Sequence, residues 1–148
     1  MKIRKAKIED FNEIYKIGLK TKELQVSSDE PFMDKEDLKL RIKNKKHIFL
    51  LAEDKNKIMG FILANIEDTD RPLKNKYACM IYLAITPEFR RKGMATILYK
   101  ELEAKLKSMQ ITHVYGWANT ESDGSIIKFM ENQKFKRGHQ YLWMDKKL

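Results

Sequence analysis

The stretch Cys79-Met80-Ile81-Tyr82-Leu83-Ala84-Ile85-Thr86-Pro87-Glu88-Phe89-Arg90-Arg91-Lys92-Gly93-Met94-Ala95 decides how the rest of the chain is read. It opens as an apolar run of strand formers, which Thr86-Pro87-Glu88-Phe89 breaks. Helical spacing then takes over: Met94, Leu98, Leu102 and Leu106 recur at steps of four, with Met109 behind them. A strand, a turn and a helix therefore meet at Arg90-Arg91-Lys92-Gly93. A helix N-terminus presents unpaired backbone N–H groups and the positive end of the helix dipole, and together these favour a phosphate. Gly93 has no side chain to block a pyrophosphate and Ala95 almost none, while Arg90, Arg91 and Lys92 add positive charge. The hexapeptide alone is a weak signal, since Arg or Gln followed by Gly and then Gly or Ala at these offsets arises about once per 1,000 windows. The flanking strand and helix supply the specificity.

The 148 residues predict one domain spanning 1–148, long enough to bury a single sizeable core. Hydrophobic residues at 43% and charged residues at 34% give a globular rather than a disordered balance. The lone cysteine, Cys79, lies in an apolar run, so no disulfide forms within the chain and a buried, inert thiol is expected. No stretch approaches the ~20 apolar residues of a membrane span, and Met1-Lys2-Ile3-Arg4-Lys5 lacks a signal-peptide core. A cytoplasmic protein without a membrane partner is the resulting expectation. The net charge of +9 points to an anionic partner, either nucleic acid or an acidic cofactor. Nucleic acid is the weaker of the two, because the chain has no recognition motif, zinc site or row of stacking aromatics. No metal is expected.

Residues 3–8 read as a short strand, and Asp10 as the cap of a helix over 11–23 with Phe11, Ile14, Tyr15 and Leu19 on one face. A loop or a short helix follows over 25–33, and Asp34 with Asp37 starts a second helix striped by Leu38 and Ile42. The runs 47–52 and 58–66 flank the polar turn Asp54-Lys55-Asn56-Lys57 and predict a hairpin. A polar loop over 67–76 leads into the strand 77–85. After the long helix come a strand over 111–118, a helix over 125–132 and a terminal hairpin, Phe135-Lys136-Arg137 with Gln140 to Met144. Trp117 and Trp143 are expected in or near the core. The order β-α-α-β-β-β-α-β-α-β predicts a mixed sheet with helices on both faces.

This order and these motifs resemble the GNAT superfamily of acetyl-CoA-dependent N-acetyltransferases. Residues 83–95 match its strand, Pro-Glu-aromatic-Arg turn and Gln/Arg-x-x-Gly-x-Gly/Ala loop. Residues 127–135 resemble its short helix and the segment that ends in Phe. The opening Ile3-Arg4-Lys5-Ala6, with Asp10, Ile14 and Tyr15, is a frequent start in the family. The resemblance implies an α/β fold with a mixed, mostly antiparallel sheet and a splayed central strand pair. It implies that the N–H groups from Arg91 to Thr96 hold the coenzyme pyrophosphate, with Arg90 beside them. Leu83 and Ile85 would pair with the pantetheine amides, and an N–H near Leu83 or Ala84 would polarise the thioester carbonyl. Asn119 or Asp123 would hydrogen-bond the cofactor. The acceptor amine, on a small molecule, a peptide N-terminus or a Lys side chain, would attack directly. A homodimer is one assembly the resemblance allows.

The chain departs from the family pattern where the chemistry is most specific. Met130 stands where many relatives carry a Tyr that protonates the thiolate, and Lys134 stands where a Gly is usual. Neither Ile81 nor Tyr82 is acidic, so a strand carboxylate is missing as base. Candidate catalytic groups are therefore Tyr82, which could hold or relay a proton, and the carboxylates Glu67 and Glu121, with Asp68 and His113 behind them. Transfer to an amine is the leading expectation. A coenzyme A-binding module without catalysis and a basic nucleic-acid-binding domain are the alternatives.

Overall fold

The computed structural model describes residues 1–27, 30, 32–67 and 76–148. Among these residues five strands form one sheet in the order β1-β2-β3-β4-β5: β1 (Lys2–Lys5), β2 (His47–Asp54), β3 (Lys57–Asn65), β4 (Tyr77–Ile85) and β5 (His113–Gly116). The first four pair antiparallel and β5 pairs parallel to β4. Among the described residues four helices cover the sheet: α1 (Phe11–Lys20), α2 (Lys35–Lys43), α3 (Met94–Ser108) and α4 (Ser125–Asn132). Leu50, Ile62, Ala78 and Met80 face α3 and α4, while Phe49, Phe61, Leu63 and Ala84 face α1 and α2. This is the mixed sheet with helices on both faces that the sequence predicts.

Local sequence explains most of the elements. Asp34 caps α2 by accepting the N–H groups of Glu36 at 2.8 Å and Asp37 at 3.1 Å. Lys55 and Asn56 both take positive φ, 46° and 63°, which makes the tight hairpin between β2 and β3 match the strand twist. Met94, Leu98, Leu102 and Leu106 are all buried along one stripe of α3.

Several expectations need correction. Met109 and Leu19 are each 45% exposed, because each has turned past its helix's buried stripe. Asp10 does not cap α1: its carboxylate reaches back to the Lys7 N–H at 2.8 Å and pairs with Arg4 at 2.7 Å. The first strand ends at Lys5 and α1 at Lys20, with single 3₁₀ turns at Ile8–Asp10 and Lys22–Leu24. Cys79 is half-buried rather than buried.

The terminal hairpin does not form. Lys134 turns left-handed at φ 69°, the Phe135 N–H closes on the Met130 carbonyl at 3.0 Å, and no strand follows. An isolated two-stranded hairpin is only marginally stable, and the residues beyond Phe135 lie exposed without a sheet to pair with. Trp117 and Trp143 are accordingly 64% and 61% exposed rather than in the core. Much of the predicted 67–76 loop, with Asp68 and Pro72, lies outside the described residues.

Candidate functional site

The site begins with a bulge. Leu63 lies opposite Tyr82 and Ala64 opposite Met80, so Ile81 is an extra residue in β4. A bulge of this kind sends two consecutive side chains to the same face and bends the strand. Ile81 and Tyr82 both pack on the α1 face, whereas Met80 and Leu83 pack on the α3 face. One residue before the bulge, at Met80 opposite Gly116, pairing with β5 ends. Beyond it β4 runs on to Ile85 while β5 has stopped, so the two parallel strands part at their carboxyl ends. Backbone groups of 81–85 that face β5 are left without a strand partner among the described residues. The same end of adjacent parallel strands is where open α/β sheets place ligands.

The cationic turn lies at this end. Pro87–Phe89 makes one 3₁₀ turn, Arg91 takes φ 58° and Gly93 φ 76°, and α3 starts at Met94. No side chain caps α3, and its first turn holds no acidic residue. A Cβ on Gly93 would meet nothing within 4 Å, so the space in front of the turn is open. Arg90 folds back: its Nε–H donates to the Ile85 carbonyl at 3.0 Å, and its Nη1 lies 3.9 Å from Glu23 Oε1. These features fit a pyrophosphate: unpaired N–H groups, positive charge and room.

α4 begins beside the same turn, through a second left-handed glycine, Gly124 at φ 76°. Asp123 accepts the Ser125 N–H at 2.9 Å, and bonding from Ser125, with the nearby charges of Arg90 and Arg91, holds its carboxyl below the usual range. Asn119 uses its side-chain oxygen on the Glu121 N–H at 2.8 Å and its carbonyl on the Ser122 hydroxyl at 3.0 Å. Asn119, Glu121 and Asp123 thus share the loop after β5.

The other candidates are dispersed. The Tyr82 hydroxyl donates to the Phe32 carbonyl at 2.5 Å, and burial pushes its pKa up. Glu67 pairs with Lys46 just past β3, and the register sets Asn65 opposite Cys79. That last rung lies on the order of 10 Å along β4 from Leu83, and Glu67 comes after it, past the end of β3. His113 lies against Tyr77 at the same far end, with ring centroids 4.8 Å apart and the planes tilted by 31°. Met130 is 8% exposed and packs near Gly116, which is core packing. Sequence reasoning missed two contacts, Tyr82 with Phe32 and Arg90 with Glu23. Both join positions far apart in the chain, and no local pattern announces them. Among the described residues no group of three or more His, Cys, Asp or Glu side chains could hold a metal ion.

A sheet that opens beside an uncapped, cationic helix start is the arrangement the family resemblance implies. The chain belongs to the acetyltransferase (GNAT) family, which its residues 9–135 match. It is 23% identical over its whole length to a protein named acetyltransferase from Sodalis glossinidius, covering 96% of that relative. Its fold matches the aminoglycoside 6'-N-acetyltransferase of Acinetobacter haemolyticus at a TM-score of 0.73 and 18% identity, covering 100% of this chain and 99% of that one. It also matches the PaiA N-acetyltransferase of Thermoplasma acidophilum, solved in complex with coenzyme A, at a TM-score of 0.70 and 23% identity, covering 88% and 87%. The chain is thus an acetyltransferase by family.

Proposed function

We propose that the chain transfers the acetyl group of acetyl-CoA to a primary amine by direct attack in a ternary complex. The observation that carries this reading is the end of β4–β5 pairing at Met80 and Gly116, next to the uncapped start of α3. In this reading acetyl-CoA supplies the activated thioester. The N–H groups of Arg91, Lys92, Gly93, Met94, Ala95 and Thr96 bind the pyrophosphate, with Arg90 held beside them by Ile85. Leu83, Ala84 and Ile85 bind the pantetheine arm as an added strand would be bound. A backbone N–H at Leu83 or Ala84 donates to the carbonyl oxygen as negative charge develops there. Asn119 and Asp123 orient the coenzyme from the loop after β5.

The amine nitrogen bonds to the acetyl carbon, the carbon–sulfur bond breaks, and the amine proton passes to a base. Glu121, on the loop beyond the parting strands, is our choice for that base, acting through water. Glu67 lies too far along the sheet. A thiolate with a pKa near ~8.5 leaves with less help than an alkoxide, so Met130 is no obstacle. Much of the rate then comes from holding the amine at the thioester.

A small-molecule amine is the acceptor class we favour, on the likeness to an aminoglycoside 6'-N-acetyltransferase, ahead of a peptide N-terminus or a Lys side chain. A cytoplasmic homodimer belongs to the same proposal. Isothermal titration with acetyl-CoA, followed by a turnover screen over polyamines, amino acids, peptides and aminoglycosides, tests it. Binding below millimolar concentration with turnover of an amine is expected, and absence of binding would sink the reading. A second reading, a coenzyme A-binding module without catalysis, is favoured by Met130 and by the occupied Tyr82 hydroxyl. It requires binding with no turnover across the panel.

A further inference from the structure

α3 packs mainly across β2, β3 and β4, and β1 lies beyond it at the edge of the sheet. Between that edge and the last two turns of α3 runs a cleft of about 400 Å³, a volume typical of small-molecule sites. Its floor is apolar. Ile48 and Leu50 of β2 are 8% and 2% exposed there, and Ile3 of β1 packs beside them. Met109, past the buried stripe of α3, lines the cleft as well. The charges are uneven: Lys5, Lys45 and Lys105 stand at the cleft against one carboxylate, Glu101. Lys105 is offset by Glu101, with Nζ 3.4 Å from Oε1. Arg4, also in the wall, is taken by Asp10 and Glu53. The ammonium groups of Lys5 and Lys45 have no ion pair among the described residues.

Two uncompensated cations beside an apolar floor suit a molecule with a negative head and an apolar body. A low-dielectric wall strengthens the attraction of each ammonium for an anion. The body gains by covering the floor, at about 25 cal/mol per Å². An amine of the same shape meets repulsion, and a bare inorganic anion gains nothing from Ile48 and Leu50. The cleft is also apart from the coenzyme opening. β2 and β4 are two strand spacings, about 10 Å, from each other, and α3 is packed across the strands between. We infer that this cleft is a second ligand site, which binds a small organic carboxylate with an apolar body. The inference stands on the cleft alone and does not depend on the acetyl-transfer reading.

The test is an amide NMR titration of the whole chain with hexanoate and with cinnamate, using hexylamine and acetate as controls. At least one of the two carboxylates is expected to shift the amides of Ile3, Lys5, Lys45, Ile48 and Met109 saturably, with a dissociation constant of about 1 mM. Hexylamine keeps the chain and reverses the charge, while acetate keeps the charge and lacks the body. Each should bind at least about ten-fold more weakly. The double variant Lys5→Gln, Lys45→Gln removes two exposed charges and leaves the floor intact. It should weaken the carboxylate about ten-fold at an unchanged thermal midpoint. Should that midpoint fall, Lys5→Gln alone decides. No saturation by either carboxylate up to about 20 mM overturns the inference, as does hexylamine binding as tightly or a double variant that binds like wild type. Shifts centred on Leu83 to Thr96 with the cleft silent would put the carboxylate in the coenzyme opening, and shifts spread over lysines of the whole surface would mark general anion screening. Either result also overturns it.

Discussion

Gly116 lies opposite Met80 at the last rung between β5 and β4, and a Cβ on it would stand 2.9 Å from the Met80 carbonyl oxygen. The parting of the two strands starts from this close approach. Backbone cannot yield as a flexible side chain does, so Gly116→Ala forces β5 away from β4. We expect a loss of about 1–3 kcal/mol, read as a lowered denaturant midpoint at unchanged slope. Acetyl-CoA binding weakens with it, because the opening widens.

Gly93 gives the opposite combination. Its Cβ position is empty, so Gly93→Ala carries only the strain of a left-handed φ of 76°, about 1–2 kcal/mol. The added methyl occupies the space the pyrophosphate is proposed to fill. Coenzyme affinity should fall by more than this stability cost alone explains, at least about ten-fold in titration. A variant that binds acetyl-CoA as tightly as wild type would place the pyrophosphate elsewhere.

The pair Arg4 and Asp10 sets a pH dependence. Two hydrogen bonds of 2.7 Å from Arg4 hold the Asp10 carboxyl below its usual range, chiefly through the side-chain bond itself. A carboxyl whose pKa is lower folded than unfolded stabilises fully above its unfolded value, about 3.9. That stability is lost as pH falls through the folded value. Urea midpoints should therefore hold steady down to about pH 5 and decline below it. Asp10→Asn should lower the midpoint at neutral pH and flatten the acid decline, leaving what Glu53, also paired with Arg4, contributes.

The fold was legible in the sequence wherever a signal is local. The steps of four in α3, the Asp34 cap and the 54–57 turn each rest on neighbours a few residues apart, and each appears where expected. The cationic turn was legible for the same reason. The bulge at Ile81 was not, because a continuous apolar run looks alike with or without an extra residue. It nevertheless decides which face Tyr82 takes. Asp10 misled because a carboxylate ahead of a helix reads as a cap, while its actual partner, Arg4, lies on the preceding strand.

The last sixteen residues make the most direct prediction about assembly. Tyr141, Leu142, Trp143 and Met144 are 74%, 79%, 61% and 84% exposed. Tyr141 meets the exposed Trp117, just past β5, with ring centroids 5.7 Å apart. At about 150–250 Å² for each aromatic side chain, this one region presents several hundred Å² of apolar surface, approaching the ~800 Å² per partner of a standard interface. A second copy supplies a matching patch under two-fold symmetry. Sedimentation velocity at micromolar concentration should show a dimer, and the double variant Leu142→Glu, Trp143→Glu should return a monomer that still binds acetyl-CoA. A wild type that sediments as a monomer at ten times that concentration removes the dimer from the proposal, and a dimer indifferent to both substitutions moves its interface away from this end of the chain.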